Sequence, residues 1–182
     1  MTVKKDIWVF AYGSLMWRPG FDYLESRKVT LEGYHRDLCI LSYVFRGTPQ
    51  VPGLVLGLNP GGTCLGVAFR VAGAQVTDVM DYLYEREMIH EVYEPKWVKA
   101  MDETGEVLET YTFVSIADHP QYAGHFEPDT KVDHVLQGVG QMGRSLEYLE
   151  NTCRHIRALG IVDEGLESIL RAAQAKEMQK TD

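Results

Sequence analysis

The sequence predicts an α+β fold in which a curled, barrel-like sheet is flanked by helices and the C-terminal region is helical. Three observations predict it. From Ile7 to about Ala117 the chain is rich in β-branched and aromatic residues punctuated by turns. From Lys131 onward its apolar residues recur at helical spacing. Strands first and helices later is the order of an α+β domain. At 182 residues, with 45% hydrophobic and 24% charged residues, the chain has the balance of a single globular domain, expected to span 1–182.

The elements follow in order. Ile7–Ala11 is a continuous apolar run that ends at Tyr12-Gly13-Ser14-Leu15, which reads as a buried first strand entering a turn. Further strands are expected at Lys28–Tyr34, Asp37–Val44, Leu54–Leu58 and Thr63–Val71. Asn59-Pro60-Gly61-Gly62 is a strong turn signal and favours a hairpin between the last two. A helix is expected at Gln75–Glu87. Trp97–Met101 and Val107–Ile116 form a second expected hairpin, turning through Asp102-Glu103-Thr104-Gly105. Helices at Lys131–Met142, Ser145–Leu159 and Glu164–Ala175 complete the pattern. The glycines Gly138 and Gly143 mark one helix end, and Ser145 reads as the cap of the next helix.

Charge and composition exclude several classes. Lys and Arg number 18 against 26 Asp and Glu, a formal charge of −8, and the pI is near 5.2. An acidic surface with no basic cluster repels phosphate backbones, so no nucleic-acid partner is expected. Cys39, Cys64 and Cys153 are odd in number and far apart, with no CxxC pair, which argues against a zinc site and for a reducing compartment. Gly47–Phe69 is uncharged and long, but Pro49, Pro52, Pro60 and several glycines break it into strands and turns. Met1–Asp6 lacks the apolar run of a signal peptide. The expectation is a cytoplasmic protein without membrane contact; oligomeric state is left open.

The helix at Gln75–Glu87 carries the most chemical information. Val76, Val79, Met80 and Leu83 share one face, while Asp78, Asp81 and Glu85 share the opposite one. Glu87 falls on the apolar stripe, at the C-terminal end. Burial and the negative end of the helix dipole both raise the pKa of a carboxylate there, which makes a base useful near neutral pH. The alternatives are a glutamate that turns out to water or one paired with Arg86.

Other segments say less. Tyr12-Gly13-Ser14-Leu15 offers successive backbone N–H groups that suit an anion, although many strands end in such a turn. Arg46-Gly47-Thr48-Pro49 is a stiff loop carrying one arginine. Asp118, His119, His125 and Asp129 match no metal spacing. Cys153 and His155 face different ways on a helix, and Ser14 lacks a His and acid motif. Tyr148 is a candidate pocket residue for which core packing is the competing reading.

Taken together, Trp8-Val9-Phe10-Ala11-Tyr12-Gly13-Ser14-Leu15-Met16-Trp17, Arg46-Gly47-Thr48 with Pro52-Gly53, Gly66-Val67-Ala68-Phe69-Arg70, Arg86-Glu87-Met88-Ile89 with Tyr93, and Gly143 with Glu147-Tyr148-Leu149 resemble the ChaC family of glutathione-specific γ-glutamylcyclotransferases. The resemblance runs from Ile7 to about Gly165 and is strongest to bacterial members. It implies a γ-glutamylcyclotransferase-like mixed sheet closing toward a barrel. It also implies cleavage of glutathione to 5-oxoproline and cysteinylglycine, with no cofactor and no metal. Glu87 matches the family's acid/base, and Val9, Phe10, Ala11, Tyr12, Gly13 and Ser14 match its substrate loop. Leu15, Arg46 and Tyr148 complete the expected substrate-binding set. Ala11, Leu54 and Ser145 stand where the family usually has Gly, Arg and Asn. The alternatives are a cyclotransferase for another γ-glutamyl peptide or amine, a non-catalytic regulator of cation transport, and a hydrolase pairing Glu87 with Glu91.

Overall fold

The computed structural model describes residues 4–180, so the first three residues of the Met1–Asp6 terminus and the last two of the chain lie outside the described residues. The chain divides into two compact units. Of the described residues, one unit comprises 4–35 with Leu58–Ile116, and the other comprises Arg36–Gly57 with 117–180. Five strands form a closed barrel: β1 (Ile7–Ala11), β2 (Glu25–Ser42), β3 (Gly53–Val71), β4 (Tyr93–Asp102) and β5 (Val107–Ser115), in the order β1-β3-β2-β4-β5.

Within the first unit β1 lies between two neighbours. It pairs antiparallel with β3, Val9 opposite Phe69 and Ala11 opposite Val67, and parallel with β5, Val9 opposite Tyr111. A strand flanked on both edges and both faces has to be apolar throughout. Val9, Phe10 and Ala11 are accordingly buried. The Thr112 hydroxyl donates to the Phe10 carbonyl at 3.0 Å, fixing the end of β1 against β5. The β4–β5 hairpin turns where the sequence places it, with Met101 opposite Val107 and Gly105 at φ 89°. Asp102 shapes that turn by accepting from the amides of Thr104 (2.9 Å) and Glu106 (3.0 Å).

Two expectations are corrected here. The segments 28–34 and 37–44 are one strand, β2, and 54–58 and 63–71 are one strand, β3, so there is no hairpin at Asn59–Gly62. In β2, Gly33 adopts φ 86°, and the buried positions shift from Val29 and Leu31 to Arg36, Leu38 and Ile40, an odd-to-even change of parity. That is the signature of a bulge, in which one extra left-handed residue reverses the faces of the strand. In β3, Gly61 and Gly62 have φ 95° and 70°, and the Gly61 carbonyl lies 2.8 Å from His35 Nδ1. Left-handed glycines thus accommodate a distortion within a continuous strand.

In the second unit α2 (Pro128–Gln137), α3 (Ser145–Ala158) and α4 (Glu164–Gln179) pack together, burying Val135, Leu149, Ile156 and Leu170. Pro128 at the start of α2 suits a position whose N–H has no intrahelical acceptor. The helix expected at 131–142 stops at Gln137; β6 (Val139–Gly140) and β7 (Gly143–Arg144) form a small ladder instead. The cause is close backbone contact. A Cβ on Gly138 would lie 2.4 Å from the Arg46 carbonyl, and one on Gly140 would lie 2.5 Å from the Val44 carbonyl. Arg36 is buried and satisfied by Asp163 at 2.8 Å. Among the described residues no helix is long and apolar enough to cross a membrane.

Candidate active site

Glu87 is the last residue of α1 (Val76–Glu87), a helix of the first unit. Val79 and Leu83 are buried and Asp78, Asp81 and Glu85 are exposed, so the apolar and charged faces lie as the periodicity requires. The Glu87 side chain is only 20% exposed. Burial raises its pKa above the ordinary glutamate value, and the Arg86 charge pulls it partly back. The nearer approach to that charge, Arg86 Nε to Glu87 Oε1, is 3.6 Å, an ion pair longer than a hydrogen bond. Both sequence readings of this residue therefore hold: Glu87 sits on the buried stripe, and it pairs with Arg86.

The turn after β1 is a short 3-10 helix, Ser14–Met16. The Met16 amide donates to the Gly13 carbonyl at 2.9 Å, and the Arg18 amide to the Ser14 carbonyl at 2.8 Å. The opening N–H groups of any helix lack intrahelical acceptors, so Ser14 and Leu15 start a segment suited to anions. Close packing sets the strand end from which the turn departs. A Cβ on Gly66 would lie 2.4 Å from the Ala11 carbonyl and 2.8 Å from the Phe10 ring.

Arg86 links this turn to α1. Its Nη2 donates to Ser14 Oγ at 2.8 Å, and its Nη1 to the Arg18 carbonyl and the Tyr82 hydroxyl, both at 2.9 Å. Tyr12 through Leu15 and Glu87, expected to act together, thus belong to one connected arrangement. In the sequence Arg86 stands as a partner for Glu87 and as part of the Arg86-Glu87-Met88-Ile89 segment, with no sign of a contact to the turn. The Arg-Glu pair at the helix end was the one available signal of more, because Ser14 lies 72 positions away in sequence.

Arg46 and Tyr148 come together within the second unit. The Arg46 guanidinium lies over the Tyr148 ring at 5.5 Å and donates to the Arg144 carbonyl at 3.2 Å. The Tyr148 hydroxyl accepts from the Leu56 amide at 3.1 Å. Ser145 does not cap α3, which is a correction: Arg144 is the capping residue and Ser145 is the first residue of the helix. The buried Ser145 hydroxyl instead bonds both backbone groups of Leu54, accepting from its amide at 3.0 Å and donating to its carbonyl at 2.9 Å. The Leu54 side chain is itself wholly buried.

The remaining reactive residues have local roles. Burial pushes the Cys153 thiol up to about 11, so it is protonated at neutral pH. The His119 ring nitrogen accepts from the Gln121 amide at 3.0 Å. Among the described residues no cluster of His, Cys, Asp or Glu has the arrangement of a metal site. Glu91 is exposed and takes a left-handed conformation, φ 51°.

Residues 7–176 match the family model described as ChaC-like protein. The chain belongs to the ChaC-like family. Among the relatives of this ChaC-like chain is the glutathione-specific γ-glutamylcyclotransferase of Escherichia coli (strain K12), 32% identical over 164 residues that cover 90% of this chain and 71% of that protein. Another is the glutathione-specific γ-glutamylcyclotransferase of Schizosaccharomyces pombe, 30% identical over 205 residues, covering 100% of this chain and 98% of that protein. The crystal structure of a γ-glutamyl cyclotransferase specific to glutathione from yeast superposes with a TM-score of 0.83 at 20% identity, over 94% of this chain and 99% of that one. That likeness shows a shared fold and bears out the barrel with a helical C-terminal region.

Proposed function

We propose that this ChaC-like chain is a γ-glutamylcyclotransferase that cleaves glutathione to 5-oxoproline and cysteinylglycine, with Glu87 as acid/base. The observation that carries the reading is a half-buried carboxylate of raised pKa, tied through one arginine to a turn suited to anions. The names of the relatives supply the substrate class.

Glutathione carries its own nucleophile. The α-amine of its γ-glutamyl residue reaches the γ-carbonyl and closes a five-membered ring, so the protein has to fold one molecule and move protons. Glu87 takes a proton from the α-ammonium group; the freed amine attacks the γ-carbonyl carbon, and the new C–N bond forms. The C–N bond to the cysteinyl nitrogen then breaks as Glu87 returns that proton to the leaving amine. The second proton, shed by the ring nitrogen, passes through the same carboxylate to the released amine, which leaves a neutral lactam and an ionised Glu87. No water is consumed. The amides of the Tyr12–Leu15 turn, at the end of the strand that carries Val9, Phe10 and Ala11, hold the glutamyl α-carboxylate or the developing oxyanion. Within the second unit, Arg46 is a cation held in place over the Tyr148 ring. Cys39, Cys64 and Cys153 are buried thiols and not disulfides, which fits a reducing compartment, and the proposed location is the cytoplasm.

A second reading, a cyclotransferase for another γ-glutamyl peptide or amine, draws on Leu54. This position holds a buried aliphatic side chain where the resemblance leads one to expect an arginine. One experiment separates the two. Purified protein is incubated with reduced glutathione and, in parallel, with γ-glutamyl dipeptides and amines, and 5-oxoproline and the released amine are quantified. Product from glutathione alone supports the first reading, and product only from the other substrates supports the second. A folded protein silent on all of them refutes both and leaves a binding protein.

A further inference from the structure

We infer that Arg86 is a positioning residue for this reaction, fixing the turn at Ser14–Arg18 at a set distance and angle from Glu87; the inference rests on the function proposed above. Each guanidinium nitrogen has its own task. Nη2 holds the Ser14 hydroxyl at 2.8 Å, at the start of the turn. Nη1 holds the Arg18 carbonyl at 2.9 Å, with the Pro19 carbonyl at 3.4 Å, at its end. Nε faces Glu87 Oε1 at 3.6 Å. One rigid, planar fork thus touches both ends of the turn and the carboxylate.

The fork is itself held in place. Tyr82, one helical turn earlier on α1, offers its hydroxyl to Nη1 at 2.9 Å. Its ring packs against Phe21 with centroids 6.3 Å apart. Gly20, at φ 75°, leaves room for that hydroxyl, since a Cβ there would lie 2.1 Å from it. The turn is also closed by its own backbone, through the Arg18 amide to the Ser14 carbonyl at 2.8 Å. Without Arg86 the turn keeps its mean backbone course but opens more often and loses its register to Glu87. Bound substrate then sits against an intact turn with the base misplaced, and a displacement of about 1 Å is enough to cost about 100-fold in rate.

The test compares wild type, Arg86→Lys and Tyr82→Phe by steady-state kinetics on glutathione, thermal melting, and amide hydrogen exchange across residues 14–18. Lysine keeps the charge beside Glu87 but offers one ammonium in place of a fork. The expected result for Arg86→Lys is a kcat about 100-fold lower per folded molecule, with KM within about threefold of wild type. Tyr82→Phe, which removes one support of the fork, is expected to lose about 10-fold in kcat. Faster exchange across residues 14–18 accompanies both losses.

A purely structural arginine gives a lower melting temperature with kcat per folded molecule unchanged, and that result overturns the inference. So does unchanged exchange across the turn. If Arg86→Lys does not fold, Tyr82→Phe decides, and wild-type kcat in that variant overturns it. A wild-type protein inactive on every γ-glutamyl substrate overturns the proposed function and this inference together, whereas an active wild type with an equally active Arg86→Lys overturns the inference alone.

Discussion

Replacing Glu87 by glutamine separates chemistry from stability. The substitution keeps volume and polarity but removes the ionisable proton carrier, for which loss of general acid–base catalysis amounts to about 10²–10⁴ in kcat. That is about 3–5 kcal/mol of barrier. The effect on stability has the opposite sense. The side chain is 20% exposed, and its pKa lies above the ordinary glutamate value because burial disfavours the charge more than Arg86 favours it. A folded-state carboxyl pKa above the unfolded value means that the native protein binds the extra proton. Stability is therefore greatest below the ordinary glutamate pKa and declines as pH rises through the folded value. Ionising the group in its buried place costs the fold stability, and glutamine removes that cost. Arg86 is not orphaned by the change, since it keeps Ser14, Arg18 and Tyr82. The expected outcome is a variant with turnover lowered by at least about 100-fold and a melting temperature at pH 8 equal to or above that of wild type. In the wild type, the acid limb of the kcat profile should lie above the usual carboxylate range. The assays are 5-oxoproline release and thermal melting at pH 4.5 and 8. A folded variant with wild-type turnover, or one that melts well below wild type at pH 8, refutes the assignment of Glu87 as a buried base.

Three further outcomes are expected. Asp102 is held at about 2 by the Thr104 hydroxyl first, then by the Glu106 and Thr104 amides and by Arg27. A depressed carboxyl pKa contributes stability above its unfolded value that is lost as pH falls toward 2. Asp102→Asn should thus melt below wild type at pH 7, with the gap closing in acid; a constant gap in melting scans counts against the turn acting through its charge. Gly66→Ala places a methyl 2.4 Å from the Ala11 carbonyl and should cost about 1–3 kcal/mol in urea unfolding. It should also lower activity by moving the end of β1. Ser145→Ala strips a buried hydroxyl from both backbone groups of Leu54 and should cost about 1–3 kcal/mol, measured the same way.

What the sequence revealed and what it hid divide along physical lines. The strand Ile7–Ala11 and the helix ending at Glu87 are legible because each has an unbroken period and an identifiable end. Glu87 is legible because a carboxylate on an apolar stripe violates that period. The continuity of β2 and β3 is hidden, because residues that tolerate positive φ serve a bulge and a tight turn alike. Gly33, Gly61 and Gly62 carry no mark that distinguishes the two. The early end of α2 is hidden for a different reason. Gly138 and Gly140 are required by the backbone at Arg46 and Val44, contacts made far along the chain. Arg86 belongs to the same class: its partners Ser14 and Arg18 are remote in sequence, and no local pattern reports a long side chain that reaches them.

Arg86 acts on Glu87 in two opposed ways, and a double variant tells which governs the rate. Its charge at 3.6 Å favours the ionised carboxylate and so weakens the base, while its fork places that base against the turn. If the charge governs, Arg86→Gln raises the pKa of Glu87 further, shifts the acid limb of the kcat profile upward and leaves the plateau rate near wild type. If placement governs, the plateau itself falls and the lysine variant, which keeps the charge, falls with it. The combination with Glu87→Gln is then informative, because groups that act as a unit do not add. With no proton carrier present, the register that Arg86 maintains has nothing to align. The double variant Arg86→Lys with Glu87→Gln should therefore be no slower than Glu87→Gln alone, in single-turnover release of 5-oxoproline. A double variant slower by the full product of the two single effects shows that Arg86 contributes to the transition state independently of Glu87, through the turn and the substrate it holds.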